Sequence, residues 1–131
     1  MRREFDLPSH DVAHLQATGL PWETFIDGST KWLLVHAWPV CAGYNVGEAL
    51  LALQIAPGYP EAQIDMAFFS PPLARADGRT VTNLGSVTVD GKPFQQWSRH
   101  RSGENPWRAG EDDLSTHLAL VEGWLEKEFR R

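Results

Sequence analysis

Cysteine is nearly absent. Cys41 is the only one among 131 residues, which excludes an internal disulfide and any zinc-type cysteine spacing. No stretch approaches the roughly eighteen apolar residues of a membrane helix. Arg2-Arg3 has no apolar run behind it, so neither a span nor a leader is expected, and the cytoplasm is the expected location. Surplus positive charge is missing as well. Twelve basic against 17 acidic residues leave a formal charge of −5, the wrong sign for a nucleic acid as the main partner. The glycines form no phosphate-loop pattern, and no cofactor is expected. No repeat, low-complexity tract or linker divides the chain, so a single domain over residues 1–131 is expected.

Hydrophobic residues make up 42% and charged residues 22%, enough for one globular core. Six tryptophans, Trp22, Trp32, Trp38, Trp97, Trp107 and Trp124, are spread along the chain, each with a large apolar area to bury. A short first helix is predicted. Pro8-Ser9 offers a cap, Asp11 suits the first turn, Val12 and Leu15 share a face, and Gly19 can end it. Residues 31–40 read as a strand with Trp32, Leu34, His36, Trp38 and Val40 on one face and Leu33, Val35 and Ala37 on the other.

Turn-prone Gly43–Gly47 precedes an alternating run from Ala49 to Ile55, and Pro57–Pro60 breaks the chain again. Ile64, Met66 and Phe68 suggest a third strand ended by Pro71-Pro72. Asp90-Gly91, between Val87–Val89 and Lys92–Phe94, predicts a hairpin. Residues 98–110 are polar and irregular. Leu114, Leu118, Val121, Leu125 and Phe129 then form an apolar stripe at helical spacing, with Asp112 or Asp113 as cap and Arg130-Arg131 at the far end. The order is an N-terminal helix, an antiparallel meander of about four strands, an irregular segment and a C-terminal helix. That grouping is α+β rather than doubly wound α/β.

Several motifs fall in an informative order: Gly43-Tyr44, the strand through Leu53, Tyr59-Pro60, Asp65-Met66, Pro71-Pro72-Leu73, Trp97-Ser98-Arg99-His100, Trp107, and the helix from Asp113 through Trp124-Leu125. This order resembles the ubiquitin-conjugating-enzyme-like (UBC-like) superfamily, and within it the prokaryotic branch called family E, found beside bacterial ubiquitin-like proteins. The resemblance covers about residues 8–129. It implies a UBC-like fold, with a ubiquitin-like protein or its activating enzyme as partner. Two features depart from the pattern. The His-Pro-Asn tripeptide of conjugating enzymes is missing, and counting back from Trp107 puts the expected cysteine near Ser98-Arg99-His100, where no thiol stands. The resemblance therefore implies a binding or scaffold member without the usual catalytic cysteine. The alternative is an active conjugating enzyme using Cys41 or a residue near His100.

The neighbours of Cys41 are apolar, whereas an attacking thiolate needs nearby cations, a metal or a helix N-terminus, so an inert thiol is expected. Trp97, Ser98, Arg99, His100 and Arg101 form the densest cationic and aromatic cluster in an acidic chain. With Trp107 they are the candidate binding residues for a carboxylate or acidic partner surface. The alternative role for this cluster is structural, with Trp97 in the core and His100 holding loop carbonyls. His10 and His14, at i and i+4, resemble half of a zinc-helix motif, but no third ligand is apparent and no metal site is expected. His36 and His117 sit within apolar patterns, as interior or boundary residues do.

Overall fold

In a computed structural model, which describes residues 1–130, a helix α1 (Ser9–Thr18) leads into the strands β1 (Trp22–Asp27), β2 (Thr30–Pro39), β3 (Glu48–Ile55) and β4 (Ala67–Ser70). A hairpin of β5 (Leu84–Val89) and β6 (Lys92–Trp97) follows, then helix α2 (Leu114–Lys127), closed by a 3-10 turn at Glu128–Arg130. The six strands form one antiparallel sheet in the order β1-β2-β3-β4-β6-β5. The α+β order and the meander agree with the sequence reading, but the strand count exceeds the expected four or so. Arg131 of the predicted terminal pair lies outside the described residues.

The missed element is β1. Its first four residues, Trp22 to Phe25, are all buried, so no polar–apolar alternation marks it. Trp22 packs on one face and Phe25 on the other, while Glu23 and Thr24 are buried polar groups whose hydrogen bonds are met: Arg2 Nε donates to Glu23 Oε1 (2.6 Å) and Thr24 Oγ1 donates to the Phe5 carbonyl (2.9 Å). Such a strand reads as polar in sequence and is buried only because its partners are distant in the chain.

A second difference is one of facing. Trp32 and Leu34 do share a face, but the β2–β3 register shifts between Val35 and Trp38, where Ala37 has φ +55°. The extra residue of this bulge reverses the alternation. Trp38 and Val40 therefore join Leu33 and Val35 on the helix-covered face. The predicted third strand also starts late, at Ala67. Ile64 is buried, but Met66 has φ +58° and interrupts the extended run.

The helices cover one face. Leu15 of α1 and Leu114, Leu118, Val121 and Leu125 of α2 pack with Leu33, Leu51, Leu53, Phe69 and Trp97. Asp113 caps α2, its carboxylate accepting from Thr116 N while Thr116 Oγ1 accepts from Asp113 N. At the other end Tyr44 Oη donates to the Leu125 carbonyl (2.7 Å). Gly43, at φ +110°, passes so close to Phe129 that an added Cβ would lie 2.5 Å from its ring. The opposite face of the sheet carries no helix among the described residues. It buries Phe25, Trp32, Leu34, Phe68, Val89 and Phe94 by rolling, so residues of both edge strands meet in one cluster. Arg2 clasps the two rims, reaching Glu23 on β1 and Asp90 in the β5–β6 turn (2.7 Å).

Leu118 is 2% exposed beneath α2. Leu118→Ala is expected to cost about 2–5 kcal/mol, as a truncation in a packed core does. Urea denaturation would show it as a lower midpoint with an unchanged slope, and an unaltered midpoint would mean that α2 does not seal this face.

Candidate functional site

The segment after β6 leaves the sheet from a fully buried anchor. Trp97 is 0% exposed, lies edge-on to Phe69 and Tyr44, and donates from Nε1 to Gln95 Oε1 (2.9 Å). Arg99 turns back over it. Its guanidinium sits 4.8 Å from the Trp97 ring, Nη1 donates to the Asn83 carbonyl (3.1 Å), and Nη2 lies 3.6 Å from the buried Glu128 carboxylate. Arg101 is turned inward too, 5.1 Å from the Trp107 ring and 3.5 Å from Asp112 Oδ2. Trp107 in turn donates from Nε1 to the Pro60 carbonyl (3.0 Å) and tilts against Tyr59. Ser98 is half-buried, its hydroxyl oxygen accepting from Gln96 Nε2 (3.0 Å). His100 alone of the six candidates is exposed, with Nδ1 3.0 Å from both carboxylate oxygens of Asp65. The structure thus brings the six residues onto one segment but gives them different jobs. Trp97, Arg99, Arg101 and Trp107 form the frame, and the His100–Asp65 pair stands on its surface.

Asp11 supports that frame from beneath. It is 1% exposed, and its carboxylate accepts from Tyr59 Oη (2.5 Å) and from Leu114 N (3.3 Å), the first amide of α2. Burial and the neighbouring carboxylate push the Tyr59 phenol far above its ordinary range, so it remains a donor. The sequence pointed to neither residue as a site group; Tyr59-Pro60 and Asp65-Met66 were legible only as motifs.

His14 does not join His10. Instead His10 Nε2 lies 3.4 Å from Asp11 Oδ1 and 3.7 Å from Asp113 Oδ2, and these three groups hold ligand-type atoms within 4.8 Å of one another. Both carboxylates, however, already accept hydrogen bonds at the start of α2, where the helix field attracts anions and opposes a cation. The trio fits a capping cluster better than a metal centre.

Cys41 lies outside this segment, just after β2. It is half-buried and lines a hollow with Pro39, Val40, Glu122, Leu125 and Glu126. Burial, with the Glu126 carboxylate nearby, raises its thiol pKa, the reverse of what an attacking thiolate needs.

Among protein families, the model of prokaryotic E2 family E matches residues 7–128. The chain belongs to that family. Neither a search of curated proteins nor one of solved structures gave a match. As an E2-like protein it has the helix–meander–helix order expected of the fold, and no helix among the described residues is long and apolar enough to cross a membrane.

This family E protein also buries a histidine under the segment. His117 is 1% exposed, and its Nε2 donates to the Met66 carbonyl (2.8 Å), next to the Asp65 that pairs with His100. Nδ1 is buried with no hydrogen-bond partner among the described residues. Burial drives the His117 pKa down from 6.5 to about 4, Arg101 adding to the shift and the Met66 carbonyl and Asp65 opposing it. Between those two values the unfolded chain binds a proton that the folded chain does not. Stability contributed by neutral His117 is therefore complete above about pH 6.5 and lost as pH falls toward about 4, with an upper bound of about 3 kcal/mol. His117→Gln keeps an N–H donor and removes the titration, so its stability should change less over that interval. Equal pH slopes for the two proteins in chemical denaturation would refute the assignment.

Proposed function

We propose that this family E protein acts in a bacterial ubiquitin-like pathway as a non-catalytic binding member, holding a ubiquitin-like protein or its activating enzyme. The observation that carries this reading is the state of the only thiol. Cys41 is half-buried beside Glu126 with its pKa raised, and residues 98–101 offer serine, arginine, histidine and arginine but no thiol. A thioester carrier needs a readily ionised sulfur, which the raised pKa of Cys41 opposes and which residues 98–101 do not contain.

The docking surface in this reading is the outer side of the segment from Ser98 to Trp107. Its arginines are engaged inward, so they act by holding the loop, while exposed His100 with Asp65 makes the contact. An exposed tip on a frame of stacked arginines and indoles enters a complex with little ordering still to do.

The chemistry is tested by incubating the protein with its cognate ubiquitin-like protein, activating enzyme and ATP, followed by non-reducing electrophoresis. No reducible adduct is expected. An adduct that disappears on reduction and in Cys41→Ser would make the protein a conjugating enzyme, and a reductant-resistant adduct mapped near His100 would do the same through a non-thiol carrier.

The docking role separates His100 from Arg99. His100→Ala should weaken partner binding about tenfold, as loss of an interface anchor does, with stability unchanged within about 0.5 kcal/mol. Arg99→Ala removes contacts with Trp97, Asn83 and Glu128, so it should lower the melting temperature measurably. Unaltered affinity in His100→Ala, measured by calorimetry, would move the docking surface elsewhere.

A further inference from the structure

The two helices do not close against each other along their full length. Ser115, Ala119, Glu122 and Glu126 recur at four-, three- and four-residue steps on α2, and so share one face. The first two are small. Beside them lies a hollow of about 350 Å³ lined also by His14 and Leu20 and by Trp38, which follows the β2 bulge. A second hollow of about 200 Å³ adjoins it through the shared residues Pro39 and Glu122, and ends at Cys41 and Glu126. None of residues 97–107 lines either one.

We propose that this groove is a docking site for an extended partner segment that alternates apolar with lysine or arginine side chains. The shape argues for an extended chain. The larger hollow is at the lower end of small-molecule pockets and the smaller is below it, so the pair suits successive side chains better than one compact ligand. The charge argues for cations. Glu122 is exposed and makes no hydrogen bond or ion pair among the described residues, and Glu126 has only a 4.0 Å contact with exposed Arg130. Among the described residues no lysine or arginine lines either hollow, and His14 is the one basic side chain in the walls. The two wall hydroxyls are engaged: Ser115 Oγ donates to Asp113 and Thr18 Oγ1 to the Leu15 carbonyl. One donor is not. The indole N–H of Trp38, a residue 4% exposed that lines the larger hollow, is buried with no acceptor among the described residues.

The test uses the full chain and two fluorescein-labelled hexapeptides, Lys-Leu-Arg-Val-Lys-Leu and its charge-reversed form Glu-Leu-Asp-Val-Glu-Leu, read by fluorescence anisotropy. The basic peptide should bind saturably and at least about tenfold tighter, with affinity falling as salt is raised. The double variant Glu122→Gln/Glu126→Gln should weaken it about tenfold or more, and Ala119→Trp should do so by filling the groove, whereas His100→Ala should not. Saturating basic peptide should also slow alkylation of Cys41 by N-ethylmaleimide. Equal binding of both peptides, no saturable binding, undiminished affinity in the Glu122/Glu126 variant, or unprotected Cys41 at saturation would each overturn the proposal. So would binding of a second copy of the chain in preference to the basic peptide, seen as dimerisation that the peptide does not displace.

Discussion

Asp11 is a carboxylate buried to 1% exposure near the start of α1, and it joins three parts of the chain that are far apart in sequence. Burying such a charge is costly unless its oxygens are matched by donors. Here one oxygen takes the Tyr59 hydroxyl and the other the Leu114 amide, with the positive end of α2 behind it. Each donor then fixes something further. Leu114 sets where α2 begins, and so which residues of its stripe reach the core. Tyr59 presents its ring to Trp107, whose indole returns a hydrogen bond to Pro60 and lies under Arg101. The irregular segment between β6 and α2 is thus held at its far end by a contact that begins at residue 11.

The other end of that segment is held by the sheet. Trp97 closes β6 inside the core, and its N–H is satisfied by Gln95, which also exchanges hydrogen bonds with both the amide and the carbonyl of Leu73. The proline-rich turn after β4 and the start of the candidate site are therefore one hydrogen-bonded unit. Between these fixed ends only His100 and the turn at residues 102–106 face solvent as a group. A surface of this kind is presented by its supports rather than by its own contacts.

How much of this could be read in the sequence depends on where each signal was stored. Helix α2 was legible because Leu114, Leu118, Val121 and Leu125 carry the period of a helix with one buried face. Strands β2 and β3 and the Asp90-Gly91 hairpin were legible for the same local reason. β1 was not, since Glu23 is made tolerable in the interior by Arg2 and His36, neither of them within reach of a local pattern. The facing of Trp38 was hidden by a bulge that shifts parity by one residue and leaves composition untouched. In the site, the cluster from Trp97 to Arg101 was visible as a composition, and Asp65 as part of a motif. That His100 pairs with Asp65 while His117 grips the next carbonyl required the fold, because the contacts span 35 and 51 residues.

Charge shows the same limit from another side. The chain carries its arginines largely as structural parts. Arg2 lies over Phe25, Arg3 over Trp22, Arg75 over Phe129, Arg99 over Trp97 and Arg101 over Trp107, each within 3.4–5.1 Å of a ring centroid. Four of these five also contact a carboxylate. A guanidinium suits this use because its flat face stacks while its edge donates hydrogen bonds. A cation engaged in this way contributes little to the field that an approaching partner meets, whereas a carboxylate left without a counterpart contributes fully. The formal charge of −5 therefore understates how acidic some surfaces are. The loop that looks most basic in sequence spends its arginines inward, while the groove beside α2 has Glu122 and Glu126 in its walls and, among the described residues, no lysine or arginine.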